Sequence, residues 1–257
     1  MDITKSSNPV FGKNIFNQAA TSSDDGVMTV NGTINKTGLM LLIVIFAATF
    51  TWRKFFGAID PALPGVMPSG IIGWMIGGAI GGFILALITT FSPRRAAMTA
   101  PIYAVFEGLF LGAISAMFEA MYPGLVMRAV MLTFGVFVIM LVLFRTGTIR
   151  ATEKFRTVIF AATGGIALVY LVSFIASMFG TNFGFMYGNG LVGIGFSLVV
   201  VVIAALNLIL DFDMIMQGAN ARAPKYMEWY GAFGLMVTLI WLYLEMLRLL
   251  SKLSSRN

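Results

Sequence analysis

The sequence predicts an all-α polytopic membrane protein with seven transmembrane helices, and three observations predict it. Of 257 residues, 58% are hydrophobic and 11% charged, against roughly 25% charged in a soluble domain. Seven apolar stretches each come close to the ~20 residues that a helix needs to cross the hydrocarbon core. Carboxylates recur inside those stretches, where an ionisable group is costly and reads by default as part of an ion pathway or proton relay.

The stretches lie at 39–56, 70–91, 100–122, 124–144, 158–179, 190–217 and 229–250. Before the first, residues 1–38 are polar, rich in Ser, Thr, Asn, Asp and Gly. Without a basic start or an apolar h-region they do not read as a signal peptide but as a mostly disordered tail preceding a membrane domain at 39–253. The second stretch carries Gly70, Gly73, Gly77, Gly78, Gly81 and Gly82. Small residues at spacings of three and four let another helix approach closely, so this stripe reads as a packing face. The third and fourth stretches are joined by Pro123 and Gly124, residues that end helices and permit a tight hairpin. The run from Arg145 to Arg156 reads as a solvated loop. The tryptophans, with Tyr122, Tyr226 and Tyr230, mostly fall near helix ends, as interfacial anchors do.

Basic residues set the orientation. Eleven fall on the side of the N-terminal tail, Arg94, Arg95, Arg145 to Arg156, Arg222 and Lys225, and six on the other. Retention of Lys and Arg then puts the N-terminus in the cytoplasm. The net charge of +6 is accounted for by these retention signals and by anionic lipid headgroups; nothing in it points to nucleic acid. The chain has no cysteine and no histidine, so thiol nucleophiles, His-based triads and the usual zinc sites cannot be built. The GxGD motif of aspartyl intramembrane proteases and a mid-helix lysine for a retinal Schiff base are also absent, and no enzyme or resident cofactor is expected.

The carboxylates differ in character. Glu119 lies one turn from Pro123, within reach of headgroups, and takes no role. Glu107 is deeper, with Tyr103 four residues before it as a hydrogen-bond donor; a structural glutamate and an ion-path glutamate are both open. Asp211 has Asn207 one turn earlier on its own face, while Asp213 points away, toward another partner or cytoplasmic water. Glu245 has Arg248 three residues on, so an intrahelical ion pair is its ordinary reading; the arginine could equally snorkel to the far interface. If Asp211 and Glu245 meet, they cannot both stay ionised in hydrocarbon and share one proton as a unit. Such a pair is a pH sensor, and when ionised it attracts a hard cation such as calcium. Helix rise alone places Asp211 about 10 Å and Glu245 about 22 Å from the same interface, so contact needs tilt, a later entry or a helix break.

At these residues the chain resembles the Bax inhibitor family, the transmembrane Bax-inhibitor-motif proteins, and within it the bacterial branch with an extended polar N-terminal region. The resemblance covers most of residues 30–253. It is carried by RRAAMTAPIYAVFEGLFLGAIS at 94–115, NLILDFDMI at 207–215 and, most specifically, EWYGAFGLMVTLIWLYLEMLRLL at 228–250. It implies seven helices with the last one central, and a pH-sensitive calcium or cation leak gated by a proton-sharing acid pair. Asp211 and Glu245 match that pair. Arg94, with Arg95 as the alternative, matches an arginine that latches the sixth-helix aspartate. Glutamate replaces the aspartate at the seventh-helix position, and the loop between the two acids is longer than in compact members. A proton-coupled transporter, which would show substrate-dependent proton flux, is one alternative. The other is a non-conducting adaptor of membrane proteases or cell-death factors, which would keep its partner when the acids are replaced. The lack of cysteine and of an organelle presequence favours a bacterial inner membrane.

Overall fold

A computed structural model describes residues 26–59, 68–180, 188 and 190–255. Most of the polar tail, residues 1–25, lies outside them. Seven helices are long and apolar enough to cross a membrane: α1 (Val30–Ala58), α2 (Ser69–Phe91), α3 (Ala96–Met121), α4 (Leu125–Arg145), α5 (Glu153–Met178), α6 (Leu191–Asn220) and α7 (Met227–Ser254), with a 3-10 turn at Pro93–Arg95. The most apolar window of α7 is 61% buried, against 17–44% for the others. The last helix is therefore the most enclosed, and the rest turn much of their surface toward lipid. Phe46, Phe91 and Phe179 are among the large apolar side chains left exposed, as residues facing hydrocarbon can be.

The first helix starts at Val30 rather than at 39, because a cap and not hydropathy sets its beginning. The Thr29 hydroxyl accepts from the Gly32 N–H at 3.0 Å, satisfying a donor that the first turn leaves without an intrahelical partner. Between α3 and α4 stand Tyr122, Pro123 and Gly124, and Gly124 takes φ +78°, a left-handed conformation that glycine adopts without steric cost. The expected loop from Arg145 to Arg156 is shorter: Thr152 caps α5 by accepting from Phe155 N–H at 3.2 Å, which leaves Arg156 on the helix.

The described residues cluster into two compact units. One gathers α1 to α3 with Met214–Met236; the other holds Gly124–Asp213 and the chain from Val237 onward. In the first unit, glycine decides the packing. A Cβ on Gly108 would lie 2.6 Å from the Val44 carbonyl oxygen, and one on Gly112 would lie 2.2 Å from that of Ala48, so α1 and α3 meet backbone to backbone. The α2 stripe divides. Gly78, Gly81 and Gly82 lie against Phe106, Glu107 and Phe110 of α3, whereas Gly70, Gly73 and Gly77 have nothing within 4 Å of a notional Cβ.

The same unit ties the start of α1 to the α6–α7 turn. Met28 N–H donates to the Ala223 carbonyl at 2.6 Å and Lys225 N–H to that of Gly26 at 3.1 Å, with Val27 and Pro224 forming an antiparallel bridge. Beneath them lies the fully buried Glu228. Its carboxylate accepts from Thr29 N–H and from the Thr29 hydroxyl, each at 2.9 Å. It also pairs with Lys225 at 2.9 Å and with Lys36.

Candidate functional site

The second unit contains a line of polar groups on the facing sides of α5, α6 and α7. Asp211, 4% exposed, accepts from the Thr238 hydroxyl of α7. One turn back on α6, Asn207 donates its amide to the Thr163 hydroxyl of α5 at 2.9 Å and to the Ile203 carbonyl at 2.8 Å. Asp213 is directed elsewhere, as the helical period requires, and pairs with Arg156 of α5.

Glu245, 2% exposed, sits further along. Its Oε1 accepts from Tyr170 of α5 at 3.0 Å and from Arg248 at 2.7 Å, and Arg248 also donates to the Tyr170 oxygen. The ordinary reading of Glu245 as half of an intrahelical ion pair is therefore realised, with a tyrosine from a third helix added. At the end of the line the Lys252 ammonium donates to the Gly193 carbonyl at 3.0 Å and the Ser197 hydroxyl at 2.8 Å.

These contacts set the register of α6 against α7. Asp211 is level with Thr238 and Ser197 with Lys252, and the helices run antiparallel, so Glu245 lies opposite Ala204. Seven residues of helix separate it from the Asp211 level, about 10 Å of rise. The sequence makes a meeting of the two carboxylates conditional on tilt, a later entry or a helix break; the register keeps them two turns apart, with the Asn207–Thr163 bond in the interval.

Three buried side-chain atoms in the described residues have no hydrogen-bond partner, and all lie in this unit: Asp211 Oδ2, Glu245 Oε2 and Ser173 Oγ. A buried polar atom without a partner is costly, and water or an ion is among its ordinary explanations. From Asp211 to Gly193 the polar line covers eighteen residues of α6, about 27 Å of rise, close to the thickness of the hydrocarbon core.

The other expected residues fall outside this line. Arg94 and Arg95 are exposed on the 3-10 turn of the first unit. Glu107, also in the first unit, is half-buried, hydrogen-bonded to Tyr103, with its Oε1 2.8 Å from where a Cβ of Gly82 would be. Among the described residues no three carboxylate, imidazole or thiolate groups converge as a metal site. Sequence reasoning missed Glu228, Thr238, Tyr170 and Lys252. Glu228 has one local signal, Lys225 three residues before it; Tyr170 and Thr238 sit in apolar runs and Lys252 in a polar helix end, and the partners of all three are on different helices.

Fold and site together define a seven-helix integral membrane protein with an acid-bearing polar seam through one helical unit. The family model described as Bax inhibitor 1 like matches residues 8–255, nearly the whole chain, and the chain belongs to that family. No curated protein and no solved structure matches it.

Proposed function

We propose that this protein is a pH-sensitive passive leak for cations, calcium among them, conducted along the α5–α6–α7 seam and involving no catalysis. The observation that carries the reading is the pair of orphaned buried carboxylate oxygens, on Asp211 and Glu245, in a polar line close in length to the thickness of the hydrocarbon core. An oxygen in that position is satisfied by a proton, a water or a passing cation, and these compete for it. Loading with protons removes the charge that draws cations in, and shifts a two-state equilibrium of the sixth and seventh helices. Because Asp211 and Glu245 stand two turns apart, a proton moving between them travels by way of the intervening polar groups. In this proposal the protein lies in a bacterial inner membrane with its N-terminus in the cytoplasm, so the Arg156–Asp213 end of the seam faces the cytoplasm.

The test is calcium flux into dye-loaded liposomes holding the purified protein, from about pH 5 to 8, a range above the titration of ordinary carboxylates. Wild type is expected to show a pH-dependent flux that Asp211→Asn or Glu245→Gln abolishes or makes insensitive to pH. Flux no greater than in empty liposomes at every pH, with the protein folded, would sink the leak and leave the transporter and the adaptor. In that case, retention of a partner by the two acid variants would favour the adaptor.

A further inference from the structure

A lysine in the last turn of a membrane helix ordinarily reaches outward to headgroups. Lys252 does the opposite. The residue is 4% exposed, and its ammonium is turned into the protein, onto the Gly193 carbonyl and the Ser197 hydroxyl of α6. Burying an ammonium is costly, and Arg248 one turn earlier adds a like charge on the same face.

The oxygens around it are of the kind that hold hard cations, a backbone carbonyl and a hydroxyl. A third belongs to the same level. Thr163 and Asn207 set α5 antiparallel to α6, and counting along both helices from that bond brings Ser173 opposite Ser197. Ser173 Oγ is buried and has no partner. An ammonium is close in size to a potassium ion and binds the same oxygen groups.

Resting on the leak reading, we propose that Lys252 is a tethered plug: its ammonium occupies an oxygen site for a monovalent cation at the α6 N-terminal end of the seam. A permeating ion must displace it or find it withdrawn. The charge of Lys252, and not its bulk, then limits the flux.

The absence of cysteine makes a chemical test available. Lys252→Cys introduces a single thiol. Alkylation with 2-bromoethylamine restores an ammonium on a side chain of nearly lysine length, whereas iodoacetamide leaves a neutral one; intact mass confirms each product. Potassium flux is measured in liposomes for wild type, the free thiol and both adducts. The free-thiol and neutral forms are expected to leak severalfold faster than wild type, and the aminoethylated form to return to the wild-type rate.

A folded Lys252→Cys protein with wild-type flux would overturn the plug, as would equal slowing by both adducts. If wild type conducts and the cysteine form conducts no faster, only the plug fails. If no form conducts at any pH, the leak reading fails and the plug with it. Should Lys252→Cys not fold, Ser197→Ala removes one oxygen of the site and keeps the lysine. A smaller rise in flux is expected there, and none would count against the proposal.

Discussion

Replacing Glu228 by alanine is expected to destabilise the protein by about 3–5 kcal/mol, the cost of breaking a buried ion pair by removing one partner. The carboxylate is fully buried and is the acceptor for Thr29 N–H, the Thr29 hydroxyl, Lys225 and Lys36. Alanine leaves the Thr29 N–H without its acceptor and two ammonium groups without a counter-charge. It also loosens Thr29, whose hydroxyl caps α1, so the start of the first helix and its strap to Ala223 and Lys225 weaken together. The Lys225 side chain is 45% exposed and can turn to water, which places the effect toward the lower end of the range. Glu228→Gln should cost less, because its amide carbonyl still accepts from Thr29. Unfolding in detergent, followed by circular dichroism against temperature or denaturing detergent, checks both. A Glu228→Ala protein as stable as wild type would show that the cluster is a surface ornament and not a tether.

Gly112→Ala should be among the most damaging methyls that can be added at the described glycines, costing about 1–3 kcal/mol, as overpacking does, or more where backbone must move. The added Cβ would lie 2.2 Å from both the Ala48 carbonyl oxygen and the Thr51 hydroxyl, and 2.6 Å from the Ala48 Cα. Two of these three atoms are backbone, so relief requires α1 and α3 to separate. Gly108 makes the same kind of approach one turn earlier, and the double variant should lose the α1–α3 contact altogether. Gly135→Ala is the control. Nothing lies within 4 Å of its notional Cβ, and the change should be neutral or gain up to about 1 kcal/mol from helix propensity. Thermal midpoints of the two single variants should therefore move in opposite directions or one of them not at all; equal losses would contradict the packing described.

How much of this was legible beforehand depended on whether the signal was local. Asp211 and Glu245 stood out because a charge in an apolar run is visible without knowing its neighbours. The Glu107–Tyr103 bond, the Glu245–Arg248 pair and the outward turn of Asp213 from the Asp211 face were legible too, since a helix fixes which residues three and four apart are neighbours. The α2 glycines carry a packing signal, and three of them do pack; yet the closest backbone approaches among the described glycines of that unit are made by Gly112 and Gly108, beside Glu107. Thr238 and Tyr170 could not be recognised as the partners of the two acids. Glu228, at the start of a helix and beside a basic residue, looked like any interfacial glutamate, its Thr29 and Lys36 partners being nearly two hundred residues away.

Hydropathy is summed along the chain, so the sequence by itself determined that this is a helical membrane protein with seven spans and acids at depth. What only the tertiary structure decided is the axial offset and rotation of one helix against the next. That register sets Asp211 against Thr238, holds Glu245 two turns beyond it with Tyr170 and Arg248, and turns Lys252 inward onto α6. It arises from many small packing contacts distributed over whole helix faces, none of which is large enough to leave a mark at any one position.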